Sequence, residues 1–227
     1  MDSIKIIQKL KTLSNPENVE GMKRFAAGGK NTLGISIPEL RNLAKNINKE
    51  YKNNPDKKHK IALELWDSGI HEARILAAFT AVPEYANLAD IDKWVHEFDS
   101  WDICDQTCNS YFKKTSFSRD LVSRYIKSDK EFVKRTSFVM MAVLAVHDKK
   151  MTDDDFIKFF PAMIKESNDD RNFVKKAVNW ALRQIGKRNQ NLNKLAIKTA
   201  RKIIKKYPDS KSARWIANDT VKELETK

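Results

Sequence analysis

Apolar residues recur at steps of three and four along nearly the whole chain of 227 residues, with polar residues between them. That spacing gathers apolar side chains on one face of an α-helix, whereas a half-buried strand would need strict alternation. The chain also has only six Gly and six Pro, too few for the many turns of a sheet-rich fold. The pattern predicts an all-α protein, with helices near residues 4–13, 17–27, 38–51, 57–66, 71–82, 90–98, 101–112, 118–128, 131–147, 152–167, 170–187, 191–207 and 211–224.

Short polar and glycine-containing segments mark the ends of the early helices. Gly28 and Gly29 end the second helix, and either Ser36 or Ile37 precedes Pro38 at the start of the third. Proline is favoured in the first helical turn, where its missing amide is not needed. These signals predict a loop between residues 28 and 36.

Several of the predicted helices begin alike. Similar segments occupy 71–79, 132–140 and 173–181, with a fainter copy at 212–217. Each carries a cation at or near its fourth position, namely Arg74, Arg135, Lys176 and Arg214. The copies are separated by about one or two periods of 30 to 40 residues, which is typical of helical-pair repeats. Such repeats stack into a curved superhelix, so we expect one domain over residues 1–227 with a basic concave face.

The charge of the chain favours a polyanionic partner. Lys and Arg number 43 against 30 Asp and Glu, a formal net charge of +13. This excess indicates nucleic acid, although charge alone leaves an acidic membrane surface open. A cation early in a helix opposes the helix dipole, so its recurrence indicates an external anion, and solvated charges are the alternative. Residues 1–20 hold no signal-peptide core and no segment is long and apolar enough for a membrane span, so we expect a cytoplasmic protein.

A tryptophan and three carboxylates crowd the start of the helix near residue 101. Asp99 is placed to cap that helix, and Asp102 follows three residues later. Trp101 and Asp105 are four residues apart and therefore share one helical face. An aromatic ring beside a carboxylate is suited to meet a cation. Taken singly, Trp101 as a core residue and Asp105 as a helix-start charge remain the alternatives.

The two cysteines carry no assigned chemistry. Cys104 and Cys108 are four residues apart, and neither His96 nor the nearby aspartates complete a metal-ligand spacing. We interpret them as buried thiols that act as small hydrophobic residues. We expect neither a metal nor a cofactor.

Separated motifs, in order, resemble those of the AlkD-like DNA alkylation repair family, the HEAT-like repeat DNA glycosylases. They cover about residues 15–220 and are GISIPELR at 34–41, ELW at 64–66, SWDICD at 100–105, Arg135, and KAVNWALR at 176–183. The resemblance implies HEAT-like repeats that form a curved α-solenoid. It also implies excision of positively charged alkylated purines, such as N3-methyladenine and N7-methylguanine, from duplex DNA without a metal or cofactor, for base excision repair.

The resemblance also implies roles for individual residues. The catalytic carboxylate of the family matches Asp105, and its paired active-site tryptophans match Trp101 and Trp180. Where the family often has a tyrosine on the second helix, this chain has Phe25, which lacks the hydroxyl. A DNA-contacting arginine near the lesion matches Arg135. The other DNA-binding candidates are cations of the repeats and of the last motif, Arg74, Lys176, Arg183 and Arg214.

The chemistry of these residue types agrees with that activity. An N-alkylated purine is a good leaving group, and loss of the base develops positive charge on the deoxyribose. A carboxylate beside the sugar stabilises this transition state more than the ground state. Two indole faces add cation–π attraction of roughly 0.5–2 kcal/mol each. No lysine is placed as a Schiff-base nucleophile, so we expect hydrolysis without strand cleavage.

Other functions are compatible with the same pattern. A non-catalytic protein that binds distorted DNA would keep the basic face without needing Asp105, and a HEAT-type scaffold would bind an acidic protein segment there. An RNA reader fits least, because the repeats lack a regular pair of base-reading side chains. We expect a monomer whose partner is double-stranded DNA with alkylated bases.

Overall fold

The computed structural model describes residues 2–226, which form α-helices joined by short connections and contain no β-strand. The all-α prediction is confirmed, and no helix in this range is long and apolar enough to cross a membrane. The helices are α1 Ser3–Thr12, α2 Pro16–Arg24, α3 Ile37–Glu50, α4 Pro55–Asp67, α5 His71–Thr80, α6 Leu88–His96, α7 Trp101–Ser110, α8 Leu121–Arg124, α9 Glu131–His147, α10 Asp153–Ile157, α11 Phe160–Glu166, α12 Asn172–Gly186, α13 Gln190–Lys206 and α14 Lys211–Glu225.

Two predicted helices differ from the structure. The helix predicted over 152–167 is divided into α10 and α11, because Pro161 in the first turn of α11 has no amide to continue the hydrogen-bond ladder. The helix predicted over 118–128 is reduced to one turn, α8, and the residues before it lie in turns. The apolar pattern showed which side chains are buried but not where the helix is interrupted.

The chain forms two compact helical units. The first ends at Phe117 and contains α1–α7, and the second begins at Ser118 and contains α8–α14. The prediction that residues 1–227 make one curved domain with a concave face stays a prediction.

Helix α5 is the central element of the first unit. It packs against α3, α4 and α7. Ala73, Ala77 and Ala78 are buried in it, and such small side chains let neighbouring helices approach closely. Because α5 is covered on several sides, its residues fix the position of the loop and the helix start that surround Trp101.

Helix α12 has the corresponding place in the second unit. It packs against α9, α13 and α14. Helix α9 is apolar over most of its circumference, and 13 of its 17 residues are buried. A helix that is apolar all round lies in a core. The second unit therefore places the start of α12, with its cations, next to a rigid apolar support.

Candidate active site and nucleic-acid interface

Helix α7 begins at Trp101 without the predicted side-chain cap. Ser100 is the N-cap residue, and no side chain accepts a hydrogen bond from the first turn. Asp99 instead accepts a hydrogen bond from the backbone amide of Lys30, over 2.9 Å. The capping prediction for Asp99 is wrong, because its carboxylate binds an amide of the 28–36 loop.

The same loop is fixed by a histidine and a second aspartate. The backbone amide of Gly28 donates to both carboxylate oxygens of Asp102, over 3.3 Å each. The amide of Gly29 donates to Nδ1 of His71 over 3.0 Å, and His71 Nε2 lies 2.9 Å from Asp102. Since Nδ1 accepts a hydrogen bond, Nε2 carries the imidazole proton and donates it to the carboxylate. Loop amides, His71 and Asp102 thus form one hydrogen-bonded network, and His71 is only 1% exposed.

Glu72 fixes the next part of the loop. Its carboxylate accepts hydrogen bonds from the amides of Leu33, Gly34 and Ile35, over 2.8, 2.7 and 3.3 Å, and the residue is 0% exposed. Gly34 has φ +79, and a Cβ there would collide with the carbonyl oxygen of Asn15. A buried carboxylate with several amide donors is satisfied and rigid. We name the network of His71, Glu72, Asp99 and Asp102 with the loop amides the loop clamp.

Burial and hydrogen bonding act in opposite directions on the pKa of Asp102. Burial penalises the charged carboxylate and raises its pKa, but hydrogen bonds from His71 and Gly28 favour the charged form and lower it below its ordinary value. The carboxylate therefore remains ionised at neutral pH and is available as an acceptor for the loop clamp.

We expect this lowered pKa to make Asp102 a source of stability that acid removes. Above the ordinary aspartate pKa of about 3.9 the charged group stabilises the folded state, and the effect disappears as the pH falls through the lower folded pKa. Asp102→Asn should therefore lower the free energy of unfolding by about 2 kcal/mol at pH 7. Denaturation curves at pH 7 and near pH 3 should show this deficit shrinking in acid. Asp154→Asn, on an exposed residue of α10, is the control, and a deficit that does not change with pH would contradict the assignment.

Trp101 lies beside an apolar pocket of about 420 Å³ in the first unit. Its indole Nε1 donates to the carbonyl oxygen of Phe25 over 3.2 Å, which fixes the ring against the end of α2. The Phe25 side chain also lines the pocket and is 77% exposed. The further wall residues come from α2, the loop, α5 and α7 and include Met22, Ile35, Ile75, Asp102 and Gln106. An exposed aromatic ring and a half-buried indole give this pocket two π-faces.

Asp105 lies one turn further along α7. The helix runs unbroken over both residues, so Trp101 and Asp105 share a face, as their spacing predicts. Asp105 is half-buried, between the buried Cys104 and the half-buried Gln106. A partly exposed carboxylate thus accompanies the Trp101 indole at the surface of the first unit.

The cation of the first repeat is used inside its own unit. The Arg74 guanidinium lies 5.4 Å from the ring centroid of Trp66 and donates to the carbonyl oxygens of Trp66 and Glu97. It also forms an ion pair with the Glu97 carboxylate, at 3.4 Å. Through these contacts Arg74 connects α5 to α4 and to the end of α6, which is a structural role. Its contact with DNA stays a prediction that nothing in this geometry supports.

Arg135 is likewise held within the second unit. It is 5% exposed, and Nη1 donates to the carbonyl oxygen of Phe173 over 2.6 Å. Its neighbour Lys134 is buried too and pairs with Glu166 and Asp169. The repeated cations therefore do not form one uniformly exposed stripe, which corrects that part of the sequence interpretation.

Other predicted residues of the second unit are at its surface. Lys176 and Arg214 are exposed, and Trp180 is half-buried on α12. Arg183 is half-buried and paired with Asp219 and Glu223. Lys176 and Arg214 are therefore the predicted cations with the freest access to a polyanion.

The predicted site residues are divided between the units. Phe25, Arg74, Trp101 and Asp105 belong to the first, and the remaining five belong to the second. The structure brings Phe25 and Trp101 together and confirms the shared face of Trp101 and Asp105. That Trp180 joins them at one site stays a prediction.

Sequence reasoning did not identify the loop clamp. His71 and Glu72 are the first residues of α5, and the sequence pattern assigns them only to a repeat copy. A usable signal was the acidic residue in the first helical turn beside a histidine, next to a glycine-rich loop. Cys104 and Cys108 are buried thiols, as predicted. Across residues 2–226 no group of three or more His, Cys, Asp or Glu is arranged to hold a metal ion.

Comparison with a solved structure shows that this chain has a HEAT-like repeat fold. A solved structure matches with a TM-score of 0.71 at 18% identity, covering 89% of this chain and 83% of the other. That structure represents a new family of proteins related to the HEAT-like repeat DNA glycosylases with affinity for branched DNA structures. A comparison with curated proteins gives no significant match. The sequence profile of the DNA alkylation repair enzymes matches residues 6–222, so the chain belongs to the DNA alkylation repair enzyme family.

Proposed function

We propose that this protein is a monofunctional DNA glycosylase that removes positively charged alkylated purines from duplex DNA. The observation that carries the proposal is the pair of Trp101 and Asp105 on one accessible face of α7, beside a pocket that also exposes Phe25. Membership of the DNA alkylation repair enzyme family supports it. N3-methyladenine and N7-methylguanine are the substrates whose charge fits this pair.

Asp105 is proposed to act on the charge that develops as the glycosidic bond breaks. The cationic purine leaves as a neutral base, and the positive charge moves to the deoxyribose. A carboxylate at the sugar stabilises that charge and orients the attacking water, without a second acid to protonate the leaving group. The Trp101 ring, on the same face of α7 as Asp105, and the Phe25 ring across the pocket lining are proposed to attract the cationic base before cleavage.

The loop clamp supplies the rigidity that this mechanism needs. Electrostatic catalysis requires groups that are held in place before the reaction, because reorganising a flexible site adds to the activation free energy. Phe25, whose carbonyl positions the Trp101 ring, is separated by only Ala26 and Ala27 from Gly28 and Gly29, whose amides Asp102 and His71 bind. The clamp residues are therefore proposed as positioning residues, acting through Phe25 and Trp101.

A second candidate function is binding of branched or distorted DNA without base excision. It is favoured by the similar solved structure, whose family has affinity for branched DNA structures. Lys176 and Arg214 would serve either function, because phosphate contacts carry no information about the base. The two functions differ in whether Asp105 is needed.

The test of the proposal is incubation with duplex DNA that contains N7-methylguanine and N3-methyladenine, followed by chromatography for released bases. We expect free methylated bases and abasic sites without strand breaks. Binding of four-way and linear duplexes of equal length should be compared in parallel. No base release together with preferential binding of the branched DNA would replace the proposal by the second candidate.

The aromatic residues should affect the cationic base more than DNA binding. Trp101→Ala and Trp180→Ala are each expected to slow single-turnover release of N7-methylguanine by roughly tenfold, because each removes a cation–π partner worth about 1.4 kcal/mol. The control is Trp215→Ala, which removes a tryptophan that is 41% exposed. This variant should keep the parental rate. A variant that melts early but has full activity in its folded fraction would assign its tryptophan to the core.

A further inference from the structure

A second pocket of the first unit is lined by cations and by no carboxylate. It has a volume of about 490 Å³ and lies between α3 and the ends of α5 and α7. Its four cationic side chains are Arg41, Lys45, Lys113 and Lys114. The remaining wall is made by Ala44, Asn48, Phe79, Asn109 and Ser110. The excess of cations in the chain does not by itself explain why four of them converge on one concavity.

Arg41 is held in a defined orientation at this pocket. Its guanidinium carbon lies 4.7 Å from the ring centroid of Phe79, and Nη2 donates to Gln106 Oε1 over 3.3 Å. The Asn48 side-chain amide donates to the carbonyl oxygen of Phe79 over 3.3 Å and so ties α3 to the end of α5. A stacked guanidinium keeps further N–H donors for an anion, in a geometry suited to phosphate.

Lys113 is placed there against electrostatic repulsion. Burial lowers the pKa of Lys113 most, and the positive charges of Lys114 and Arg41 lower it further. No carboxylate lines the pocket to offset these charges. Its Nζ donates to Asn109 Oδ1 over 3.0 Å, which leaves two of its three N–H groups for another acceptor. An anion in the pocket would relieve this repulsion.

The dipole of α7 is an alternative explanation for the two lysines of the pocket, but not for its other two cations. Lys113 and Lys114 follow the C-terminus of α7, where the helix dipole favours cations. Arg41 and Lys45 come from α3, four residues apart on one face, and are exposed. The dipole of α7 does not account for their convergence with the lysines.

We propose that this pocket binds a backbone phosphate of the DNA strand whose modified base lies beside Asp105. The inference rests on the proposed function and adds a phosphate site to it. Along α7, Trp101, Asp105 and Asn109 follow one another at four-residue steps. The step from Asp105 to Asn109 is about 6 Å, close to the axial rise of two nucleotides in duplex DNA. Gln106 joins the two sites, since it lines the aromatic pocket and accepts from Arg41.

The test compares two double variants of equal charge. Lys45→Ala with Lys113→Ala removes two cations of the pocket, and Lys49→Ala with Lys60→Ala removes two exposed lysines of the same unit outside it. Affinity for an undamaged duplex is measured by fluorescence anisotropy between 50 and 200 mM salt. The pocket variant should bind about tenfold more weakly. The slope of log K against log salt should fall by about 0.9 for one lost phosphate, and the control should stay close to the parent.

A second measurement locates the phosphate. In an Asp105→Asn background, which keeps the base in place, single neutral methylphosphonate linkages are introduced on either side of one N7-methylguanine. One linkage within about two nucleotides of the base should lower the duplex affinity of the protein with the intact pocket but not that of the pocket variant. Such non-additivity is expected when the phosphate and the pocket are direct partners. Additive losses at every linkage would overturn the placement beside Asp105.

Failure of the inference is distinguishable from failure of the proposed function. Equal slopes and affinities for the pocket and control variants would overturn the phosphate site and leave base excision untouched. Absence of base release, with selective weakening of the pocket variant, would overturn excision and retain the phosphate site. A parent protein that binds no duplex would overturn both.

Discussion

Asp105→Asn is expected to slow excision of N7-methylguanine by roughly 100-fold or more, about 3 kcal/mol of transition-state stabilisation. The substitution keeps the size and shape of the side chain and removes the charge that opposes the cationic sugar. Binding to undamaged duplex should hold or tighten, because an anion near the phosphates has been removed. The rate of base release is measured in single turnover, beside a thermal melting curve of the same preparation.

The control for this prediction is Asp154→Asn on α10, which changes the net charge equally at an exposed residue. It should keep the parental excision rate and melting temperature. An Asp105→Asn protein that excises at the parental rate would refute the catalytic assignment. A purely structural Asp105 would show the reverse pattern, with a lower melting temperature and an unchanged rate per folded molecule.

Glu72→Gln is expected to cause the largest loss of stability among conservative substitutions of the loop clamp. The buried carboxylate accepts from three successive amides, and the glutamine amide has one acceptor oxygen and an NH2 group that would face a donor. An unsatisfied buried donor costs about 1–3 kcal/mol, so the free energy of unfolding should fall by about 3 kcal/mol. For a chain of this size the melting temperature should fall by about 10 °C.

The matched control for this substitution is Glu84→Gln, an exposed residue of the same unit. It makes the same change of charge and should leave melting within about 1 °C, as expected for an exposed substitution without special contacts. Equal melting temperatures for the two variants would contradict a clamp role for Glu72. In single turnover, Glu72→Gln should also slow base release in the folded fraction, because the loop that follows Phe25 loosens.

The periodic pattern was enough to place most helices, because each helix buries one apolar stripe. Ser36 illustrates a start that local chemistry specifies. Its side chain and that of Glu39 form a capping box, and Pro38 lies in the first turn, so the beginning of α3 depends on residues within one turn. The apolar pattern does not predict the interruption between α10 and α11, because it continues across Pro161.

The repeated cations show what a local pattern does not decide. Arg74, Arg135 and Lys176 occupy similar places in similar helix starts, yet the first two are hydrogen-bonded within their units and the third is exposed. Their partners, Glu97 for Arg74 and Phe173 for Arg135, lie 23 and 38 residues away in the sequence. Which cation remains available to a polyanion follows from packing between helices.

The all-α class, most helix bounds and the shared face of Trp101 and Asp105 are predictable from the sequence, because they depend on residues within a few positions of one another. Its motifs also indicated the family to which the chain belongs. The fold is needed to show that Asp99 and Asp102 bind loop amides near residues 28–30, and that Arg41 and Lys113 line one pocket. These contacts join residues about 70 positions apart, and long-range packing of the helices, which local periodicity does not encode, brings them together.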